Sequence, residues 1–293
     1  MIFPSSPEAI ARAAELLRAG ELVAFPTETV YGLGANALDA AAVRRIYEAK
    51  GRPSTSPLIV HVDSVEMARA LASQWSERAE ELARAHWPGP LTLVVPKQSV
   101  VPDIVTAGLQ TVGLRMPAHP VALELIRTAG VPLAAPSANR FTELSPTTAE
   151  HVRRGLGDRV AMILDGGPCT VGIESTVVSL VGPEPVLLRP GVLTIPDVLT
   201  DPTEPAAGAA HAAPGLHPKH YSPRTPVLIA GRDEIPLGAR IIRINAAALP
   251  ASELYATLHT FDDEGYDAIV VELPPDTPEW AGVRDRLIRA AAH

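Results

Sequence analysis

Residues 7–25 read PEAIARAAELLRAGELVAF, and the change of period within them decides the fold class. From Pro7 to Ala19 the apolar positions recur at helical spacing, with Ser6 as N-cap, Pro7 in the first turn and Gly20 as the stop. Leu22 to Phe25 is a short apolar run of strand length that enters a loop at Pro26. The alternation then repeats. Asp39 opens a helix that ends at Gly51, Pro57 to Val62 is a strand, and Ser64 starts a helix reaching about His86. Leu91–Val95 and Thr111–Leu114 are strand-like, Pro120–Ala129 is helical, and Leu133–Ala135 is a short strand. A helix from Thr147 to Arg154 precedes strands at Met162–Asp165, Ser175–Leu180 and Val186–Arg189. This predicts an α/β or α+β domain with a mixed sheet over residues 1–195.

Residues 196–225 change character, being rich in Pro, Ala, Gly and His without periodicity, and are expected to form a linker or lid. Residues 226–293 return to alternation: strands at Val227–Ile229, Ile241–Ile244 and Ala268–Val271, and helices from Ser252 and from about Pro278. They predict a small αβ unit.

Composition narrows the function classes. Of 293 residues, 46% are hydrophobic and 20% charged, which is ample for a buried core and excludes a wholly disordered chain. A single cysteine excludes an intramolecular disulfide framework and a multi-cysteine zinc site. The start, MIFPSSPEAI, lacks a basic patch followed by an apolar stretch, and no run suits a membrane span, so a soluble, cytoplasmic protein without membrane contact is expected. The net charge of −8 argues against strong non-specific nucleic-acid binding, and twelve aromatic residues offer little for base stacking. Most of the acidic excess lies beyond residue 195.

The sequences GxxxxGK[ST], HExxH and GxSxG are absent. Gly32-Leu-Gly34-Ala-Asn-Ala37 matches a loose dinucleotide fingerprint, but Pro26 and Thr27 break the preceding run and no acidic residue follows at the ribose position. More telling are three loops of small polar residues at strand ends. Pro26–Gly34 carries hydroxyls and glycines that permit close approach of a ligand, or forms an ordinary turn. Lys50-Gly-Arg52, followed by Ser54, Thr55 and Ser56, suits a polyanion such as a triphosphate, or a solvated helix C-terminus. Ala135-Pro-Ser137-Ala-Asn139 sets a hydroxyl and an amide beyond a strand, for phosphate, ribose or base, or for a local turn. His61 in a strand is a ligand group or a satisfied core histidine. Arg115 and Arg189 interrupt apolar strands and must each meet an anion, structural or substrate. Glu174-Ser175-Thr176 precedes another strand, and Cys169 is expected to be inert.

Taken together with Trp87-Pro-Gly-Pro-Leu-Thr, Gly113-Leu-Arg-Met-Pro and Leu188-Arg-Pro-Gly191, these stretches resemble the Sua5/YrdC/YciO family over residues 7–195. The downstream Pro214-Gly215 and His220-Tyr-Ser-Pro223 resemble its two-domain Sua5 form. The resemblance implies a YrdC-like twisted mixed sheet with flanking helices, plus a small Rossmann-like αβ C-terminal domain. It also implies synthesis of L-threonylcarbamoyladenylate and pyrophosphate from L-threonine, bicarbonate or CO2, and ATP with Mg2+, without a dedicated protein metal cage. The product would pass to the machinery that makes t6A at tRNA position 37, with weak tRNA binding as a further possibility.

By motif match, Lys50, Arg52, Ser56, Thr111, Ala135, Ser137, Asn139, Ser145 and Arg189 would surround ATP, with Lys50 and Arg52 catalytic. Thr29, His61, Arg115 and Ser175 would surround threonine, and Tyr221 would close over the nucleotide as a lid. Two alternatives stand beside this: a double-stranded RNA or tRNA-binding module without adenylation, and a related enzyme using carbamoyl phosphate.

Overall fold

The computed structural model describes residues 1–200 and 220–292; most of the expected linker, with Pro214 and Gly215, lies outside the described residues. The larger part is built on one sheet of eleven strands. They are β1 (Ile2–Pro4), β2 (Val23–Phe25), β3 (Gly32–Asn36), β4 (Ile59–His61), β5 (Leu91–Pro96) and β6 (Thr111–Arg115), then β7 (Leu133–Ala134), β8 (Met162–Asp165), β9 (Thr176–Ser179), β10 (Val186–Arg189) and β11 (Leu199–Thr200). The order β1-β8-β2-β3-β7-β4-β6-β5-β9-β10-β11 mixes parallel and antiparallel pairs. β4 runs parallel to β6 but antiparallel to β7, for example.

Local chemistry sets the helices. Ser6 accepts from the Ala9 amide at 3.2 Å, Pro7 occupies the first turn, and the helix runs Pro7–Arg18. Asp39 caps helix Ala40–Lys50, which stops where Gly51 turns left-handed at φ 63°. Both helices bury an apolar face of mainly Ala, Val, Leu and Ile against the sheet, consistent with the scarcity of aromatic residues.

Three expectations need correction. The helix expected from Ser64 to about His86 is two helices, Val65–Leu71 and Glu77–His86, the second capped by Ser76. Between them Ala72 pairs with Lys97, and the Ser73 amide donates to the Pro96 carbonyl at 2.9 Å, so the edge of β5 competes successfully for this backbone. The glycine-rich Gly32–Asn36 is a strand rather than part of a loop. A side chain at Gly34 would come within 2.7 Å of the Phe25 ring, so the glycine lets β3 lie against that ring. Thirdly, β11 lies within the segment assigned to the linker and extends the sheet past residue 195.

The smaller unit has a parallel sheet of β12 (Val227–Ile229), β13 (Ile241–Asn245) and β14 (Ala268–Glu272), in the order β12-β14-β13. Helices Ala251–Asp263 and Ala281–Ala290 accompany it, as a βαβ arrangement requires. Its core is shared. Val30, Leu144 and Ile173 of the larger part pack in the same apolar cluster as Leu254, Tyr255 and Leu287. Among the described residues no helix is long and apolar enough to cross a membrane.

Candidate active site

The central strands and the loops around them bring nine of the fourteen expected side chains to one place. β2, β3, β7, β4 and β6 are consecutive in the sheet, and register sets His61 beside Arg115. A cleft of about 50 Å³ collects Thr29, Arg52, His61, Arg115, Ala135, Ser137, Ser175, Arg189 and Tyr221.

The loop after β2 is tied by Thr27. Its hydroxyl donates to the Val30 carbonyl at 2.6 Å and accepts from the Thr29 and Val30 amides, each at 3.2 Å. This holds Thr29 and Glu28 towards Arg115, whose Nη1 donates to Thr29 Oγ1 at 2.9 Å and whose Nη2 donates to Glu28 Oε1 at 2.7 Å. The second oxygen of Glu28 accepts from the Ala118 amide at 3.0 Å. Arg115 thus meets a structural carboxylate while still lining the cleft. His61 is buried, and its Nδ1 is without a hydrogen-bond partner. Burial, reinforced by Arg115, pulls the imidazole down to about 3, so it is neutral at pH 7.

Lys50 does not line the cleft directly. Its ammonium donates to the carbonyls of Ser137 and Asn139, both at 2.5 Å, and to Asn139 Oδ1 at 3.3 Å, one acceptor for each N–H. Burial and the neighbouring Arg52 lower its pKa well below the ordinary lysine value, against the smaller opposing pull of Glu143 and Glu174. Lys50 therefore fixes the Ser137–Asn139 turn from behind. Arg52 bonds the Ser56 hydroxyl and donates from Nη2 to the Pro57 carbonyl at 3.1 Å, so Ser56 acts through Arg52. Burial brings the Arg52 guanidinium down to about 10, still charged at neutral pH.

Across the cleft, Arg189 donates from Nη2 to the carbonyl and hydroxyl of Ser175 at 3.0 and 3.1 Å. Ser175 Oγ also lies 2.7 Å from the Thr92 hydroxyl. Asn139 donates to the Glu143 carbonyl at 2.8 Å, and Ser145 donates to Glu174 Oε1 at 2.5 Å. Both stand just outside the cleft lining. Thr111 is at the opposite end of β6 from Arg115, on a separate cavity of about 10 Å³ that shares Ile59 with the cleft.

Several lining residues stand inside stretches that the sequence singles out but receive no role of their own there. Thr27, Gly32, Pro136 and His220 all line the cleft, as does Glu174, which the motif Glu174-Ser175-Thr176 had flagged without a role. Arg286 and Tyr255, from the smaller unit, reach Glu174 and carry no local signal. Cys169 is buried and burial lifts its thiol to about 12, as inertness requires.

Residues 15–191 match the Sua5_yciO_yrdC family model, described as "Telomere recombination". The chain belongs to this family. Residues 241–292, which carry β13, β14 and both helices of the smaller unit, match a second model, "Threonylcarbamoyl-AMP synthase, C-terminal domain". This Sua5 family member is 42% identical to the threonylcarbamoyl-AMP synthase of Bacillus subtilis, across 96% of the chain and 92% of that protein. It is 41% identical to the enzyme of that name from Pyrococcus abyssi, across 96% and 93%. The crystal structure of P. abyssi Sua5 complexed with L-threonine superposes with a TM-score of 0.89 at 40% identity, covering 96% of this chain and 94% of that one. E. coli YciO, at 24% identity and a TM-score of 0.59 over 68% of this chain and 99% of that one, shares the fold of the larger sheet.

Proposed function

We propose that this chain is a threonylcarbamoyl-AMP synthase that joins L-threonine, bicarbonate or CO2, and ATP. The observation that carries the reading is the convergence of Arg52, Arg115, Ser137, Ser175 and Arg189, from five separate stretches of sequence, on a single cleft. Near-full-length relatives bearing that name support it.

The chemistry follows from charge. The threonine amine takes up CO2 as a carbamate, its proton passing to water (or takes it from bicarbonate with loss of water), and a carbamate oxygen attacks the α-phosphorus of ATP. One O–P bond forms, the bond from the α-phosphorus to the bridging oxygen breaks, and pyrophosphate leaves. Nucleophile and target are both anionic, so the site must screen them and hold them in line. Arg52 and Arg189 supply fixed cations on the nucleotide side, and Ser137 a hydroxyl held in place by Lys50. Thr29, Arg115, Ser175 and neutral His61 form the threonine side, with Arg115, whose Nε donates to the Gly89 carbonyl, facing the carboxylate through the Nη1 and Nη2 N–H groups that Thr29 and Glu28 leave over. No nucleophilic cysteine or Ser–His pair is required for this direct transfer.

Mg2+ would arrive on the triphosphate. Glu174, which lines the cleft, already accepts from Ser145, Tyr255 and Arg286, and Glu28, behind Arg115, accepts from Arg115 and the Ala118 amide, so phosphate oxygens and water would complete its shell. The labile product would be handed to the tRNA t6A-transferase machinery. The test is pyrophosphate release from ATP with and without threonine and bicarbonate. Release that threonine does not stimulate ends this reading.

A further inference from the structure

A fully buried arginine from the smaller unit closes on the wall of the cleft. Arg286, on helix Ala281–Ala290, is 0% exposed. Its Nε donates to Glu174 Oε2 at 2.8 Å and its Nη1 to the Pro190 carbonyl at 3.0 Å, and its guanidinium carbon sits 5.0 Å over the Tyr221 ring. The helix is pressed close enough that a side chain at Gly282 would meet the Gly191 carbonyl at 2.5 Å. Gly191 ends the Leu188-Arg-Pro-Gly segment that carries Arg189 into the cleft.

Glu174 is the awkward member of this site. It lines the proposed triphosphate cleft, where an unscreened carboxylate would repel the ligand. Its carboxylate accepts from Ser145 at 2.5 Å, from Tyr255 at 3.0 Å and from Arg286. Helix Ala251–Asp263, which carries Tyr255, also sets His259 Nε2 at 3.1 Å from the Ser145 carbonyl.

We propose that Arg286 is a positioning residue for the nucleotide: it neutralises Glu174 from behind, so that the cleft wall accepts a triphosphate and holds Ser145 and Tyr221 at its edge. The inference rests on the adenylation reading, and it makes the smaller unit part of the ATP site rather than an appendage. Burial alone would lift the Glu174 carboxyl, but Arg286 and Arg189 together hold it below the usual carboxylate range, which keeps it an acceptor. Asp285 pairs Arg286 at 2.7 Å and Arg289 at 2.9 Å, so Arg286 and Arg289 stand against Glu174 and Asp285 in this run of contacts.

The test compares ATP affinity by calorimetry in the full chain. Arg286→Met is expected to weaken ATP binding about tenfold or more, because a buried carboxylate then faces the phosphates. Adding Glu174→Gln to it removes that charge and restores affinity to within about threefold, and Arg286→Lys, which retains the cation, stays within the same range. Wild-type affinity in Arg286→Met overturns the proposal. So does a tenfold loss in Arg286→Lys or in the double variant, since that would mean shape rather than charge. If Arg286→Met does not fold, these last two variants decide alone. Threonine-dependent pyrophosphate release by the wild type is measured alongside; its absence sinks the adenylation reading, while the ATP titrations still report on Arg286.

Discussion

Arg115 Nη2 lies 2.7 Å from Glu28 Oε1, and neither side chain is more than 8% exposed. A buried pair of this kind contributes little net stability while intact, but losing one partner strands a charge. Glu28→Ala is therefore expected to destabilise the fold by about 3–5 kcal/mol in urea titrations. Arg115→Met with Glu28→Gln should remain folded, yet raise the threonine KM about tenfold or more while ATP binding is retained. Unchanged threonine dependence in that folded double variant would remove Arg115 from the threonine side.

Lys50 offers a sharper distinction between touching a ligand and shaping its site. Its three N–H groups all end on Ser137 and Asn139. Lys50→Met leaves buried carbonyls without donors and should cost about 2–4 kcal/mol of stability. ATP affinity should fall with it through the displaced Ser137 hydroxyl. A stable Lys50→Met protein that loses ATP binding alone would instead make Lys50 a direct phosphate ligand.

Much of this was legible in the sequence because local chemistry wrote it there. Ser6, Asp39 and Gly51 mark helix ends by their own hydrogen bonds and backbone freedom, and they act as expected. The polar loops were legible too, although a local turn at Ser137-Ala-Asn139 and a structural anion for Arg115 were equally open until their motifs were taken together. Long-range competition was not legible. The break at Ala72 depends on Lys97, and the strand at Gly32–Asn36 depends on the Phe25 ring. Arg286 was least visible of all: in Ala281–Ala290 it stands between Arg284 and Arg289 with nothing local to separate it from a solvated arginine. Only the docking of the helix on Gly191 buries it.

Acid should weaken the fold through its buried imidazoles. Burial, with Arg115, holds His61 at about 3 in the fold, against about 6.5 in an unfolded chain. Between those values the unfolded chain binds more protons, so stability is complete above about 6.5 and is lost as pH falls towards 3. At pH 5 this one group accounts for about 2 kcal/mol. Burial, with Arg52 and Lys50, depresses His220 in the same direction. The urea midpoint should therefore decline from pH 7.5 to 5, and His61→Asn should flatten that slope. A midpoint that rises on acidification, or a slope unchanged in the variant, contradicts the assignment.

Tyr221 separates stability from binding most cleanly. Its ring is buried at the cleft between His220, 4.1 Å away by ring centroids, and Tyr255 at 5.9 Å, and its backbone is left-handed at φ 61°. Its hydroxyl is buried with no hydrogen-bond partner among the described residues. Such a group costs about 1–3 kcal/mol where it stands, a cost that a ligand oxygen arriving beside it would offset. Tyr221→Phe should therefore melt no lower than the wild type, yet bind ATP roughly three- to tenfold more weakly, about one hydrogen bond's worth. If the Tyr221 ring shields the mixed anhydride from water, Tyr221→Ala should release more AMP per pyrophosphate formed. If the phenylalanine variant loses stability, the hydroxyl already has a partner in the resting fold. If it binds ATP as the wild type does, that hydroxyl never meets the nucleotide, and Tyr221 closes the cleft by shape alone.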